Sequence, residues 1–224
     1  MREKDNLNVR NQIVEMTSTR LLPVIDNVYK ESLRSMLHIF GNLYYIDGNS
    51  NRIKVNCSHG NPERIAGRLK ADNTLILPMI TIVETETESD SNRMRYQNIV
   101  SETVWDSAQR RATRVLSLPP RPINITYDIN IWCKYKADMD MLRSSIFSLF
   151  SPDLNIETQY SVHNKAFLTS EREVGSSVAS DTGDRILQKT VSVTLQTYIP
   201  SPKFALTNTG EIKDFFFNTT VDDS

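Results

Sequence analysis

The clearest pattern in the chain is an unbroken alternation that begins at Arg121. Ile123, Ile125, Tyr127, Ile129, Ile131, Cys133 and Tyr135 are separated by Asn124, Thr126, Asp128, Asn130, Trp132, Lys134 and Lys136. Successive strand side chains point to opposite faces, so this spacing predicts one long strand with a dry face and a wet face. Such a strand belongs to an antiparallel or mixed sheet covered on one side, because parallel sheets buried on both faces read as continuous apolar runs. Directly after it, Met139, Leu142, Ile146, Leu149 and Phe150 share one face of a helix that Asp138 can cap and Pro152 stops. Burying those side chains contributes roughly 1.5–3 kcal/mol each before entropy is subtracted, enough to anchor the helix on the sheet.

The rest of the chain carries shorter signals. Tyr29, Leu33, Met36, Leu37 and Phe40 form a helical stripe, with Gly41 placed to end it. Leu43–Ile46 and Ile53–Cys57 are strand-like, and Asp47-Gly48-Asn49-Ser50-Asn51 between them has the chemistry of a hairpin loop. Asn61-Pro62-Glu63 reads as N-cap, proline at the first helical position and acidic first turn of a short helix. Leu75–Thr85 is a strand with Pro78 near its start. The acidic run Glu84, Glu86, Glu88 and Asp90 reads as a solvated strand end and loop, and Ser91–Ser107 as a long loop or protrusion without a firm period. Leu154–Val162 and Phe167–Gly175 are further strands, Ser176–Gly183 a turn-rich linker, and Arg185–Ile199 a last long strand ended by Pro200 and Pro202. From Lys203 onward the chain reads as an appendage with few core residues besides Ile212 and Phe215, Phe216 and Phe217. The resulting organisation is an arm over 1–28, one α+β domain over 29–200, and a tail over 201–224.

Composition narrows the classes. The 224 residues fit one domain with excursions, and 39% hydrophobic content is low for a globular chain. A mean hydropathy of -0.39 agrees with chain lying outside a core. Twenty-six basic against 27 acidic side chains argue against a general nucleic-acid or membrane-surface binder. No apolar run approaches the roughly eighteen residues of a membrane span, and the charged start lacks a signal-peptide core, so a soluble protein is expected. Two distant cysteines, Cys57 and Cys133, indicate neither a disulfide framework nor a zinc cluster, and suit a reducing compartment. The three N-glycosylation sequons at Asn56, Asn124 and Asn218 are then accidental.

Catalytic chemistry is sparse. There is no G-x-S-x-G elbow, Walker loop, G-x-G-x-x-G or H-E-x-x-H. Cys57-Ser58-His59 sets a thiol near an imidazole, but a strand cysteine followed by a loop histidine is the simpler reading. Asp138-Met139-Asp140 is compatible with the divalent-ion pair of a metal-dependent transferase, yet both aspartates fall in a first helical turn, where they favour N–H groups and the dipole. No catalytic, cofactor or metal site is expected. The contact candidates are Arg110, Arg111 and Arg114, a basic cluster; Trp132, a large aromatic on the wet face; and Phe215, Phe216 and Phe217, which cannot all bury in one tail. For Trp132, packing on a cross-strand neighbour is the alternative. A peptide-binding adaptor is a further reading of such surfaces.

Three blocks carry a resemblance: Leu33-Arg34-Ser35-Met36-Leu37-His38-Ile39-Phe40-Gly41-Asn42-Leu43; Leu75-Ile76-Leu77-Pro78-Met79-Ile80; and Pro122 through Tyr127, Tyr135, Asp138 and Met139 to Leu149-Phe150-Ser151-Pro152. In this order and spacing the chain resembles the tail sheath stabiliser, or tail completion, family of contractile-tailed bacteriophages over about Tyr29 to Pro200. Ser91–Arg114 departs from the family pattern. The resemblance implies an α+β, tail-terminator-like fold: a mixed, mostly antiparallel sheet with two or three helices packed on one face, plus extended arms. It implies a virion protein without cofactors that forms a homohexameric ring at the neck-proximal end of the tail, with the sheath, the tube or its terminator, and neck or connector proteins as partners. No membrane or specific nucleic acid is implied. A tube terminator or head–tail connector is the neighbouring expectation.

Overall fold

The computed structural model describes residues 24–46, 50–64, 76–94, 100–106, 111–117, 119–158, 161–178, 185–206 and 212–216. Its centre is the alternating strand read from the sequence, β7 (Arg121–Cys133), in which Ile123, Ile125, Tyr127, Ile129, Ile131 and Cys133 are all buried. β7 pairs antiparallel with β10 (Arg185–Ile199) in an uninterrupted register from Leu187↔Cys133 to Ile199↔Arg121. Around this pair a six-stranded sheet runs in the order β3-β4-β7-β10-β9-β8, with β3 (Asn56–His59), β4 (Met79–Ser89), β8 (Leu154–Thr158) and β9 (Ser161–Val178). Among the described strands only β3 and β4 pair parallel; a helical turn at 62–64 lies between them in sequence, as a parallel crossover requires. Asn61 caps that turn, its Oδ1 accepting from the Glu63 N–H at 2.9 Å.

One face of the sheet is dry because two helices lie on it. Helix α1 spans 24–41, helix α2 is the turn at 62–64, and helix α3 is Lys136–Leu149. Met36 and Phe40 of α1 and Met139, Leu142 and Ile146 of α3 join Ile80, Ile82, the odd positions of β7, and Val191, Val193 and Leu195 in one core. A small hairpin of β1 (Tyr44–Ile46) and β2 (Arg52–Lys54) closes the same core through Tyr45, as its turn sequence predicts. The N–H of Ile46 donates to Met141 Sδ at 3.2 Å, tying the hairpin to α3. Helix α1 begins ahead of its expected stripe, and its deepest line is Val28, Ser32, Met36 and Phe40, while Tyr29, Leu33 and Leu37 flank it.

A second sheet, four strands in the order β12-β11-β6-β5, comprises β5 (Val100–Asp106), β6 (Arg111–Ser117), β11 (Lys203–Leu206) and β12 (Ile212–Phe216). Its inner pair, β6–β11, lies just beyond the end of the β7–β10 ladder: Ser117↔Lys203 follows Arg121↔Ile199. Pro119, Pro120, Pro200 and Pro202 fall in this gap, and a proline has no N–H to give a ladder, so the sheets part there. The Ser201 hydroxyl donates to the Pro119 carbonyl at 2.6 Å and holds the two connections side by side.

Several expectations are corrected. Ser91–Ser107 is not simply a loop, since its second half is β5. The two strands expected between Leu154 and Gly175 divide differently, into short β8 and the 18-residue β9. The chain after Lys203 supplies two sheet strands, and Phe204 there is buried. Helix α3 starts at Lys136 with Tyr135 as its N-cap and no side-chain cap, so Asp138 sits inside the first turn instead of capping it.

Candidate assembly surfaces

The polar face of the six-stranded sheet is wet only in part. Thr190 Oγ1 donates to Asn130 Oδ1 at 2.7 Å and Ser192 Oγ to Asp128 Oδ1 at 2.6 Å, both across the β7–β10 pair, while Arg172 of β9 reaches over β10 to Asp128 at 2.9 Å. Trp132 lies within this layer, 1% exposed, its indole N–H donating to Thr81 Oγ1 at 3.3 Å. Met79 and Gln188 are its cross-strand partners. Trp132 is therefore a packing residue of the subunit and presents no side chain at its surface, which corrects its place among the contact candidates. Thr81, Asn130 and Thr190 beside it are buried polar groups, and a residue-type pattern reads such positions as solvent.

The acidic run is split by a β-bulge. Glu84 faces Tyr127 and Glu86 faces Thr126, so Thr85 is the extra residue between them. Glu84 thus falls on the helix-covered face beside Tyr127, whereas Glu86 and Glu88 fall on the other. Burial raises the Tyr127 and Tyr29 hydroxyls above their ordinary pKa, with the Glu84 carboxylate adding to both. Among the described residues, no three His, Cys, Asp or Glu side chains gather where a metal ion could be held. Beyond the run, Asp90 accepts from the Arg93 Nε at 2.8 Å and the Asn92 N–H at 3.0 Å, while Arg93 reaches the Ile123 carbonyl at 2.9 Å. The Arg93 hydrogen bond holds the Asp90 carboxyl below the usual carboxylate range.

The chemical candidates are equally plain. Burial pushes the Cys57 thiol up to about 11, the opposite of an activated nucleophile. Burial also raises the Asp138 carboxyl, and the exposed Asp140 borders a groove of about 680 Å³. That groove carries Lys134, Lys136, Arg143 and Lys189 against Asp140 and Glu173. Glu171 holds Arg143 at 2.7 Å and Lys189 at 3.7 Å, and Lys189 also lies 3.9 Å from Glu173. The groove is a partly ion-paired seam between α3 and the β9–β10 pair, with no Ser, Thr, Cys or His among its described lining residues.

The basic cluster and the aromatic end converge on the second sheet. Arg111 opens β6 opposite Asp106, and Arg114 is exposed, its Nε donating to Ser101 Oγ at 2.8 Å on β5. Phe215 and Phe216 belong to β12, as register partners of Phe204 and Lys203. Arg110 and Phe217 lie outside the described residues, as do the side chains of Arg111, Phe215 and Phe216. Sequence reasoning missed Val104 and Trp105 on β5, which are 49% and 64% exposed. The signal was the β-forming run Thr103-Val104-Trp105 set opposite Ala112–Leu116, and it lacks alternation because both of its faces are open.

The family model for the T4-like virus Myoviridae tail sheath stabiliser matches residues 27–224. The chain belongs to the tail sheath stabiliser family. Its role is accordingly structural, as a component of a contractile phage tail that acts at the sheath. No curated protein matches the chain. The match runs through β5 and the first half of β6, where Ser91–Arg114 departs from the family pattern in the sequence, and through the strands after Pro202.

Proposed function

We propose that this sheath stabiliser assembles as a closed hexameric ring on the last ring of sheath and tube, and that it joins the tail to the neck. The observation that carries the reading is the match over residues 27–224 to a protein of the sheath. A stabiliser of a cylindrical end meets the same subunit surface repeatedly around an axis. A ring with heterologous contacts presents one copy of its own surface to each of them. Exposed Val104 and Trp105 on the rim strand β5 supply apolar contact area of the kind buried in subunit interfaces.

The test is imaging of the purified chain alone and with headless tails. Rings in solution, or density at one end of the tails, support the reading. A chain that stays monomeric at high concentration and never decorates tail ends overturns it. A protein that remains with capsids instead of tails is a connector. Replacing Phe215, Phe216 and Phe217 by serine is expected to leave the melting temperature of the monomer in place and weaken assembly.

A further inference from the structure

Strands at the rim of a sheet leave unpaired N–H and C=O groups, and proteins blunt such rims with prolines, lysines or short length. Among the described strands β5 lies at one rim, and its seven residues contain neither Pro nor Lys, with Glu102 and Asp106 its charges. All of its described side chains, Ser101 to Trp105, are exposed. At the opposite rim of the same sheet lies β12, five residues long, carrying Phe215 and Phe216 in its sequence. Each adjacent pair in this sheet is antiparallel, β5 with β6, β6 with β11 and β11 with β12. Three reversals leave β5 and β12 running in opposite directions. A second copy brought up in the same orientation therefore offers its β12 to β5 as an antiparallel partner, the more stable pairing. An odd number of strands would have made that junction parallel.

We propose that β5 of one copy pairs antiparallel with β12 of the next, so that the four-stranded sheets of successive subunits join into one continuous sheet around the ring. This rests on the ring reading and names its seam. The contact is heterologous, since each copy gives one edge and takes the other, and it closes by rotation. Backbone hydrogen bonds supply the join, as in strand addition, and Trp105 supplies apolar area beside it.

Cysteine pairs in the full chain, with Cys57→Ser to remove the half-buried thiol, test the seam. Asp214→Cys on β12 is combined in turn with Ser101→Cys, Thr103→Cys and Trp105→Cys on β5, to sample the register. Expected is an oxidation-dependent ladder up to the full ring for one combination, with no ladder from any single variant. Proline scanning gives an independent readout. Thr103→Pro and Val104→Pro remove adjacent N–H groups that point to opposite sides of β5. One is expected to disrupt the β5–β6 hairpin, the other to abolish rings while the monomer melts as before. Rings that form without any cross-link and survive both prolines overturn the seam and leave the ring reading standing. Dimers from single β5 cysteines indicate a two-fold β5–β5 contact and also overturn it. A wild-type chain that forms no ring overturns both.

Discussion

At the scale of single residues, Trp132 shows how burial decides a role that residue type leaves open. Its indole fills the polar layer and satisfies the Thr81 hydroxyl, so truncation leaves a cavity and an unpaired buried oxygen. Trp132→Ala is expected to lower the stability of the monomer by about 3–5 kcal/mol in urea unfolding. A surface anchor would have left the monomer unchanged. Cys133 gives a pH-dependent counterpart. Burial, with the Asp138 carboxylate adding to it, pushes its thiol up to about 12, while an unfolded thiol ionises near pH 8.5. Between those values the folded state keeps a proton that the unfolded state releases. Its contribution to stability is therefore whole below about pH 8.5 and is lost as pH rises toward the folded value. Urea midpoints measured from pH 7 to 10 should fall less steeply for Cys133→Ala than for the wild type. Exposure was legible at this scale only in part: Arg114 is exposed as its type suggests, and Trp132 was misplaced because Thr81, Asn130 and Thr190 are polar yet buried.

At the scale of elements, legibility follows periodicity. β7, β10 and α3 each bury one regular face, so their patterns name them from the sequence, and the β10 boundaries agree to the residue. β9 was divided at 163–166, where His163, Asn164 and Lys165 interrupt the apolar pattern although Asn164 is buried. β5 was missed because a strand exposed on both faces has no alternation to read, and β11 was missed because it is short. The bulge at Thr85 interrupts β4. Deleting Thr85 should restore a regular ladder, because Glu84↔Tyr127 and Glu86↔Thr126 are already consecutive on β7. The Thr85 hydroxyl's bond to the Thr126 carbonyl at 3.2 Å is lost with it. The expected change in unfolding free energy is within about 1 kcal/mol, in keeping with one net hydrogen bond. A loss of several kcal/mol would instead make Thr85 a paired residue.

At the scale of the molecule, two sheets part at a line of prolines, and the described core lies almost wholly in the larger one. The larger sheet holds the helices and nearly all of the described buried apolar residues, so it sets stability; the smaller one holds β5 and β12, the two edges of the proposed seam. Association variants on the smaller sheet should leave melting intact, and core variants should lower both. The β7–β10 ladder has a mechanical consequence as well. A pull along antiparallel strands loads their hydrogen bonds in shear, and a ladder without a register break must lose them together. β9–β10 and β4–β7 contain shifts at which slippage can begin, whereas β7–β10 contains none. Single-molecule extension from residues at the ends of β7 and β10 should therefore give one high-force event, preceded by smaller ones from the flanking strands. A subunit jolted as the tail shortens would shed its outer strands first and keep its middle pair, ready to draw the others back.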